Sequence, residues 1–365
     1  VVAPRTAHPP VTSWKSCPVL MRFTRRPRRL FQGPMLALLL LLTACSSNPI
    51  TAPPPTIAPA QPAVSPATSA RPAGTVRPLA GQATAAAFDA ATGQLAVLVP
   101  GPDPQAPATV ALVGGSAKQP AVAALPGPAS ALAGDGGGHA YLSSRGGYFS
   151  LDLATRGITR VDVEDAAGVD FTAIGRRADG VLVLGSADGA VYTLASDGRH
   201  VGERAKIFAR VDQIVTQGDV AVVLDRGQTS VTTIGTDGKP QYALRAGQGA
   251  TTLAADPHGP VLAADPRGGR LLVYGVDPLM LHQDYPVPNA PYGLAGAGGF
   301  AWVSQTGTNV VVGYDLTTGI PVEKVRYPTV QQPNTLALDE KSDTLYVVSG
   351  SGDGVQVIEH AARPR

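Results

Sequence analysis

The chain has 365 residues, 44% hydrophobic and only 15% charged, with 42 glycines, 34 prolines and few aromatics. That is room for one large domain or two ordinary ones, and the mix fits a turn-rich β protein rather than a helical enzyme built on Leu, Glu and Lys. The formal charge of +2 hides an asymmetry: residues 1–44 hold seven of the 29 Lys/Arg and no acid, so the remainder carries 22 bases against 27 acids, about −5, a surface with no general attraction for phosphate backbones, which sets nucleic-acid binding aside.

Read from Met21, the sequence opens with a basic stretch (22–29), continues with an apolar run (35–42) and ends in Thr43, Ala44 and Cys45. This is the three-part layout of a secretory signal, and the run is too short to span a bilayer, which needs about 20 residues. Leu42-Thr43-Ala44-Cys45 resembles the bacterial lipobox. The resemblance implies attachment of diacylglycerol to the Cys45 thiol, cleavage before it, and often acylation of the new amine. An ordinary signal whose cysteine is incidental is the alternative. Residues 1–44 are thus expected to be an N-terminal extension plus lipoprotein signal peptide. The expected location is the extracytoplasmic side of the cell membrane, with the membrane itself a partner through the lipid on Cys45.

Residues 45–78 read as a Pro-rich flexible linker, with frequent proline and almost no charge. Such segments are extended, rising about 3.1 Å per residue, so roughly 30 residues hold a domain several tens of Å from its anchor.

The domain expected over 79–362 is defined by a repeat. Small-apolar strands are centred near Ala86, Leu132, Ile174, Ile214, Leu253, Leu294 and Leu336, spaced by 46, 42, 40, 39, 41 and 42 residues. A period of about 40–45 residues with β patterning belongs to the propeller range. Each centre is followed by a second strand, a Gly/Asp-rich turn and a third strand, as in 220–223 and 231–234. In most repeats a polar fourth strand comes next, as in 158–161, 241–244 and 322–327. Pairs such as Asp188-Gly189 and Asp237-Gly238 stand where hairpins turn and positive φ is required. The last repeat ends before a fourth strand, while an unpaired strand around 75–79 is available to complete it. The predicted fold is an all-β propeller of seven blades, each of four antiparallel strands, with six or eight blades as the alternatives.

The final repeat, with Pro333-Asn334-Thr335-Leu336-Ala337-Leu338-Asp339 and Thr344-Leu345-Tyr346-Val347-Val348-Ser349, resembles the YVTN/NHL class of propeller repeats. Three features together, the start CSSNP, the linker stretch AQPAVSP and DFTAIGRRADGVLVLGSADGAVYTL over 170–194, resemble the LppL lipoproteins of mycobacteria and relatives. That resemblance implies an envelope lipoprotein and brings no established biochemical activity.

In a propeller, the loops that lead into the inner strands and those between second and third strands share one face. The first set is expected to bring Asp170, Asp212, Gln213, Asn289, Tyr292 and Asn334 there. The candidate ligand-binding residues come from the second set: Arg145, Asp188, Asp225, Arg226, Asp265, Arg267, Gln305 and Asn309, with Asp353 beside them. A mixed polar funnel of this kind suits a polar ligand, a sugar or a peptide. The competing reading makes the Asp and Asn residues turn formers and the Arg residues solvated rim. No metal or cofactor is expected, because the histidines after the anchor (His139, His200, His258, His282 and His360) share no repeat position and form no HExxH spacing. No GxSxG elbow occurs, and the glutamates fall in outer strands or turns. Trp302 reads as blade packing.

Two functions follow as expectations. The leading one is a non-enzymatic binding or scaffold module in the cell envelope, with an envelope protein or polymer as ligand. The alternative is a hydrolase or lyase acting on a cell-wall or small extracellular substrate through the channel face. No catalytic residue is named for it.

Overall fold

The computed structural model describes residues 55–115, 119–257 and 259–363. The signal segment, Cys45, linker residues 45–54 and His258 lie outside the described residues. Pro53–Arg365 form one compact unit.

The described residues contain no helix, and their strands form seven separate four-stranded sheets. Each sheet is antiparallel, and in six of the seven the strands run in chain order from the channel outward. Blades one to six cover 85–124, 131–162, 171–206, 213–245, 252–286 and 291–328. Blade seven takes its three inner strands from Pro333–Asp339, Thr344–Ser349 and Val355–Ile358, and its outer strand from Thr75–Arg77 at the other end of the chain. Thr75 pairs with Val357 and Arg77 with Val355. The sequence placed an extra strand at 75–79 and opened the domain at 79; the observed strand lies just before that boundary. Fully buried Gln356 staples this closure: its Nε2 donates to the carbonyls of Ala73 (2.8 Å) and Pro328 (3.0 Å), and its Oε1 accepts from Val330 N (3.0 Å). Closure of the ring removes an open sheet edge and makes the two chain ends depend on each other.

The core is not central. It consists of seven wedges, each between adjacent blades, such as the one joining Val222, Leu224 and Val231 of blade four to Val261, Ala263 and Tyr274 of blade five. A second strand therefore has a neighbouring blade on both faces. This is why QLAVLV, VAVVLD and TLYVVS are near-continuous apolar runs with no polar alternation. Outer strands meet water, and PQYALR is exposed at most of its positions. The outer strand of blade one, Ala121–Ala124, is plain alanine and valine. It lacks the polar signature by which the other fourth strands read, although all seven blades have one.

Trp302 is fully buried in the second strand of blade six and lies between Phe300 and Tyr327, with ring centroids 6.1 and 6.4 Å away. Its cross-strand partner is Gly313, where a Cβ would stand 2.9 Å from the indole. The pair is a large residue fitted over an absent one, so Trp302 packs the blade.

Candidate functional site

The inner strands surround a channel of about 650 Å³. Its walls are mostly small: Ala86, Ala133, Ala173, Gly175, Ala254 and Gly296 recur around the ring. Their size lets seven strands approach one axis. The inner strands are also cross-linked between blades. Gln213 donates from Nε2 to Leu253 O (3.0 Å) and accepts Leu253 N on Oε1 (2.7 Å), and Thr216 Oγ1 donates to Arg176 O (2.8 Å). Charge is confined to the mouths. Asp212, Arg226, Tyr292 and Asn334 line the upper one, formed by the loops leading into inner strands; Arg176 and Glu340 line the lower one. Burial raises the Asp212 carboxyl above the ordinary carboxylate range, against the Arg226 backbone N–H (2.8 Å to Oδ2) and the Arg226 and Arg210 charges. Burial likewise raises the Tyr292 phenol.

The candidate residues all stand at the ends of second strands or in the turns after them, yet they divide by what they touch. Asp225, Asp265 and Gln305 occupy the same repeat position, the last residue of the second strand, and are fully buried. Asp265 accepts Gly268 N on Oδ1 (2.8 Å) and Gln248 N on Oδ2 (2.7 Å). Asp225 accepts Gln228 N on Oδ1 (2.9 Å) and Ala209 N on Oδ2 (2.7 Å). Each carboxyl group therefore ties the turn after its own strand to the loop entering that strand's blade. Gly247 (φ 63°) passes so close to Asp265 that a Cβ there would sit 2.1 Å from Oδ2. Gln305 accepts from Arg326 Nη1 at 3.2 Å. Asp225 and Asp265 thus brace the loops from below, whereas Gln305 leaves its Nε2 buried without a partner. Ser144, Ser186 and Ser349, also buried, sit near the same strand end and bond local loops.

Arg145 and Asp188 are on the surface over blades two and three. The Arg145 carbonyl accepts from Arg160 Nη2 (2.6 Å). Asp188 accepts from Ser186 Oγ (2.6 Å) and Lys206 Nζ (2.7 Å), and these bonds together with the Lys206 and Arg204 charges lower its pKa.

Arg226, Arg267 and Asn309 do something the sequence reading did not anticipate: they hold the Pro-rich segment. Residues 57–66, here called the strap, cross the upper face from blades four and five to blades six and seven. Ile57 N donates to Gly227 O (2.8 Å). Arg267 Nη2 donates to Ala58 O (2.7 Å), Arg226 Nη2 to Ala60 O, and Asn309 Nδ2 to Pro66 O (2.7 Å). Gln332 Nε2 donates to Ala63 O (2.9 Å), and its Oε1 accepts Ser65 N (3.0 Å). Gln331 Nε2 donates to Ser65 O (3.1 Å). Ser65 Oγ donates to Thr306 O (2.7 Å) and accepts Gln332 N (3.1 Å). The physical reason is simple. A polyproline-type chain makes no hydrogen bonds within itself, so its carbonyls are free for side-chain donors. Ser65 and Ala60 are buried, whereas Val64 between them is 90% exposed.

The loops that receive the strap are themselves unusual. Five of the nine described non-glycine residues with positive φ, namely Thr229, Asn289, Ala290, Asn309 and Gln332, stand on this arc. Left-handed backbone at such residues costs free energy and is concentrated where a surface is built for contact.

Among the described residues no cluster of His, Cys, Asp and Glu has the arrangement of a metal site. Sequence reasoning missed Ser65, Gln331, Gln332 and Gln356. The available signals were the Gln331-Gln332 pair ahead of an inner strand and a lone serine within an alanine-proline stretch.

No family model matches the chain, and no curated protein matches it. Solved structures do. The chain is similar to one titled "Streptogramin B lyase structure", with a TM-score of 0.61 at 12% identity over 79% of this chain and 97% of that one. It is also similar to a chain of "Crystal Structure of Mitotic Checkpoint Complex", with a TM-score of 0.65 at 10% identity over 82% and 98%. The likeness is one of fold. It establishes the seven-bladed ring, and the lyase and the checkpoint assembly named in the two titles show how little a propeller says about activity.

Proposed function

We propose that the chain is an extracytoplasmic lipoprotein of the LppL type, anchored through Cys45, whose propeller presents its upper face as a binding or scaffold module in the cell envelope. The observation that carries the binding half is the division of the face. Its buried acids are consumed in bracing loops, whereas Arg226, Arg267, Asn309 and the Gln331–Gln332 pair direct hydrogen-bond donors outward to a peptide backbone. The anchoring half rests on the signal layout and on Cys45. With the strap seated, 12 residue steps separate Cys45 from Ile57, a span of at most about 40 Å. The propeller then stays nearer the membrane than a free linker would hold it.

A second reading, a hydrolase or lyase working at the channel mouth, is favoured by one arrangement: Asp212, with its raised pKa, beside Arg226 and Tyr292 at the edge of the cavity.

One experiment tests the leading reading. The full chain, purified in detergent, is used to capture partners from solubilised envelope, alongside Arg145→Glu and Arg267→Glu variants and a Cys45→Ala variant. A specific partner lost with either charge reversal, and a Cys45→Ala chain that leaves the membrane fraction, are the expected results. Capture unchanged by both reversals rejects the upper face. A Cys45→Ala chain that stays membrane-bound rejects the anchor. Turnover in an ester, lactone or glycoside panel that disappears on Asp212→Asn moves the conclusion to the second reading.

A further inference from the structure

The strap has the properties of a ligand that happens to be covalently attached. It makes almost no regular secondary structure, and it reaches the surface through backbone carbonyls met by side chains from four blades. Over the eight steps from Ile57 to Ser65, a polyproline helix advances about 25 Å. We propose that this arc is a recognition groove for extended proline-rich peptides, that residues 57–66 fill it in cis, and that the partner's own proline-rich segment binds by displacing them. This rests on the binding reading above and names its ligand class.

Three features fix what the groove selects. The carbonyl contacts from Arg226, Arg267, Asn309, Gln331 and Gln332 demand a backbone whose acceptors are unused, which is the polyproline condition. Ala60 is buried against Gly249, where a Cβ would stand 3.3 Å from the alanine methyl, so the absent side chain at 249 leaves this subsite its room. Ser65 is buried and uses its hydroxyl both as donor and as acceptor, so that subsite selects a hydroxyl. Read from the occupant, the pattern is Pro-Ala-x-Pro-x-x-Ser-Pro over 59–66. The strap also leaves a donor unused: Arg226 Nε is buried without an acceptor, so the cis segment does not exhaust the groove. The strap residues themselves do not line the channel; of the residues that hold them, Arg226 also stands at its mouth.

A tethered occupant acts at an effective concentration near the millimolar range, so a free peptide binds visibly only when the strap is released. The probe is a fluorescent peptide of residues 55–67. It is titrated against the native full chain and against a full chain whose residues 57–66 are replaced by alternating Gly and Ser. Circular dichroism checks the fold. If that replacement does not fold, Ser65→Asp, which places a charge at a buried position, opens the strap instead. The expected result is binding at least about tenfold tighter to the opened chain than to the native one. Gln332→Ala in the opened chain should weaken it about tenfold. A peptide carrying Ser65→Ala should bind more weakly, and one carrying Val64→Lys should bind as the parent does. Equal binding to both chains, or none to the folded opened chain, overturns the proposal. So does a native chain that light scattering finds to be a strap-exchanged dimer, since the occupant is then a second copy. If the peptide fails while envelope capture remains sensitive to Arg145→Glu, this inference falls and the binding reading stands.

Discussion

The upper face consists of two arcs built from the same repeat. Over blades two and three, Arg145 and Asp188 look to solvent or to charges of their own neighbourhood. Over blades four to six, the equivalent turns carry Arg226, Arg267 and Asn309, and these hold the strap. Beneath the second arc, Asp225 and Asp265 fix the turns by accepting backbone N–H groups from two loops each. The difference teaches that polarity at a loop position does not define a site. What matters is whether the group is spent inside the loop or directed out of it.

The sharpest way to break the comparison is to remove one acid from each arc. Asp265→Ala takes the buried acceptor from the Gln248 and Gly268 N–H groups and should lower unfolding free energy by about 2–4 kcal/mol. Asp188→Ala removes a half-exposed carboxylate from Lys206 and should cost about 1 kcal/mol or less. Urea denaturation of the two variants decides the matter. Equal losses would mean that the buried acids are not braces.

A smaller effect is expected at the strap. Gln332→Ala removes the acceptor of Ser65 N, and Ser65→Ala removes the acceptor of Gln332 N, two bonds that hold the same strap end. Their separate costs, each about 1 kcal/mol, should overlap in the double variant with a coupling of at least about 0.5 kcal/mol. Strict additivity in denaturant unfolding would mean that the two bonds act independently and the strap end is not held as one unit.

The smallest effect is electrostatic and lies outside both arcs, at the turn between the third and fourth strands of blade three. His200 of blade three bonds to Asp197 and lies 3.1 Å from Glu164, which follows blade two. The Asp197 hydrogen bond and charge, then the Glu164 charge, raise the imidazole pKa above 6.5. Backbone bonds from Arg199 and His200 hold Asp197 down at about 2. The His200 contribution to stability is thus complete below pH 6.5 and fades as pH rises through the raised folded value. The Asp197 contribution is complete above its ordinary 3.8 and fades as pH falls toward 2. An NMR titration should place the His200 midpoint above 6.5, and Asp197→Asn should move it down further than Glu164→Gln. The strap's direct hydrogen-bond partners include no carboxylate or imidazole, so strap protection should stay level across that range.

The ring itself was readable in the sequence, because a blade is repeated seven times and each second strand is an apolar run. The closure was readable too, since the last repeat lacked a strand that the start of the domain could supply. The strap was not. Proline and alanine without charge describe a free linker and a seated polyproline segment equally well, and the donors that distinguish them, Gln331 and Gln332, lie some 270 residues away along the chain. Asp225 and Asp265 read as candidate ligand groups because a sequence displays a polar residue at a turn without displaying which N–H groups it meets.

The measurement that bears most directly on this account is amide hydrogen exchange of the full chain at Ile57 and Ser65, whose N–H groups donate to Gly227 O and Gln332 Oε1. The account predicts protection at both, with loss at Ser65 on Gln332→Ala. Exchange of both amides at the rate of an unstructured peptide would contradict it, and would return residues 57–66 to the role of a free tether.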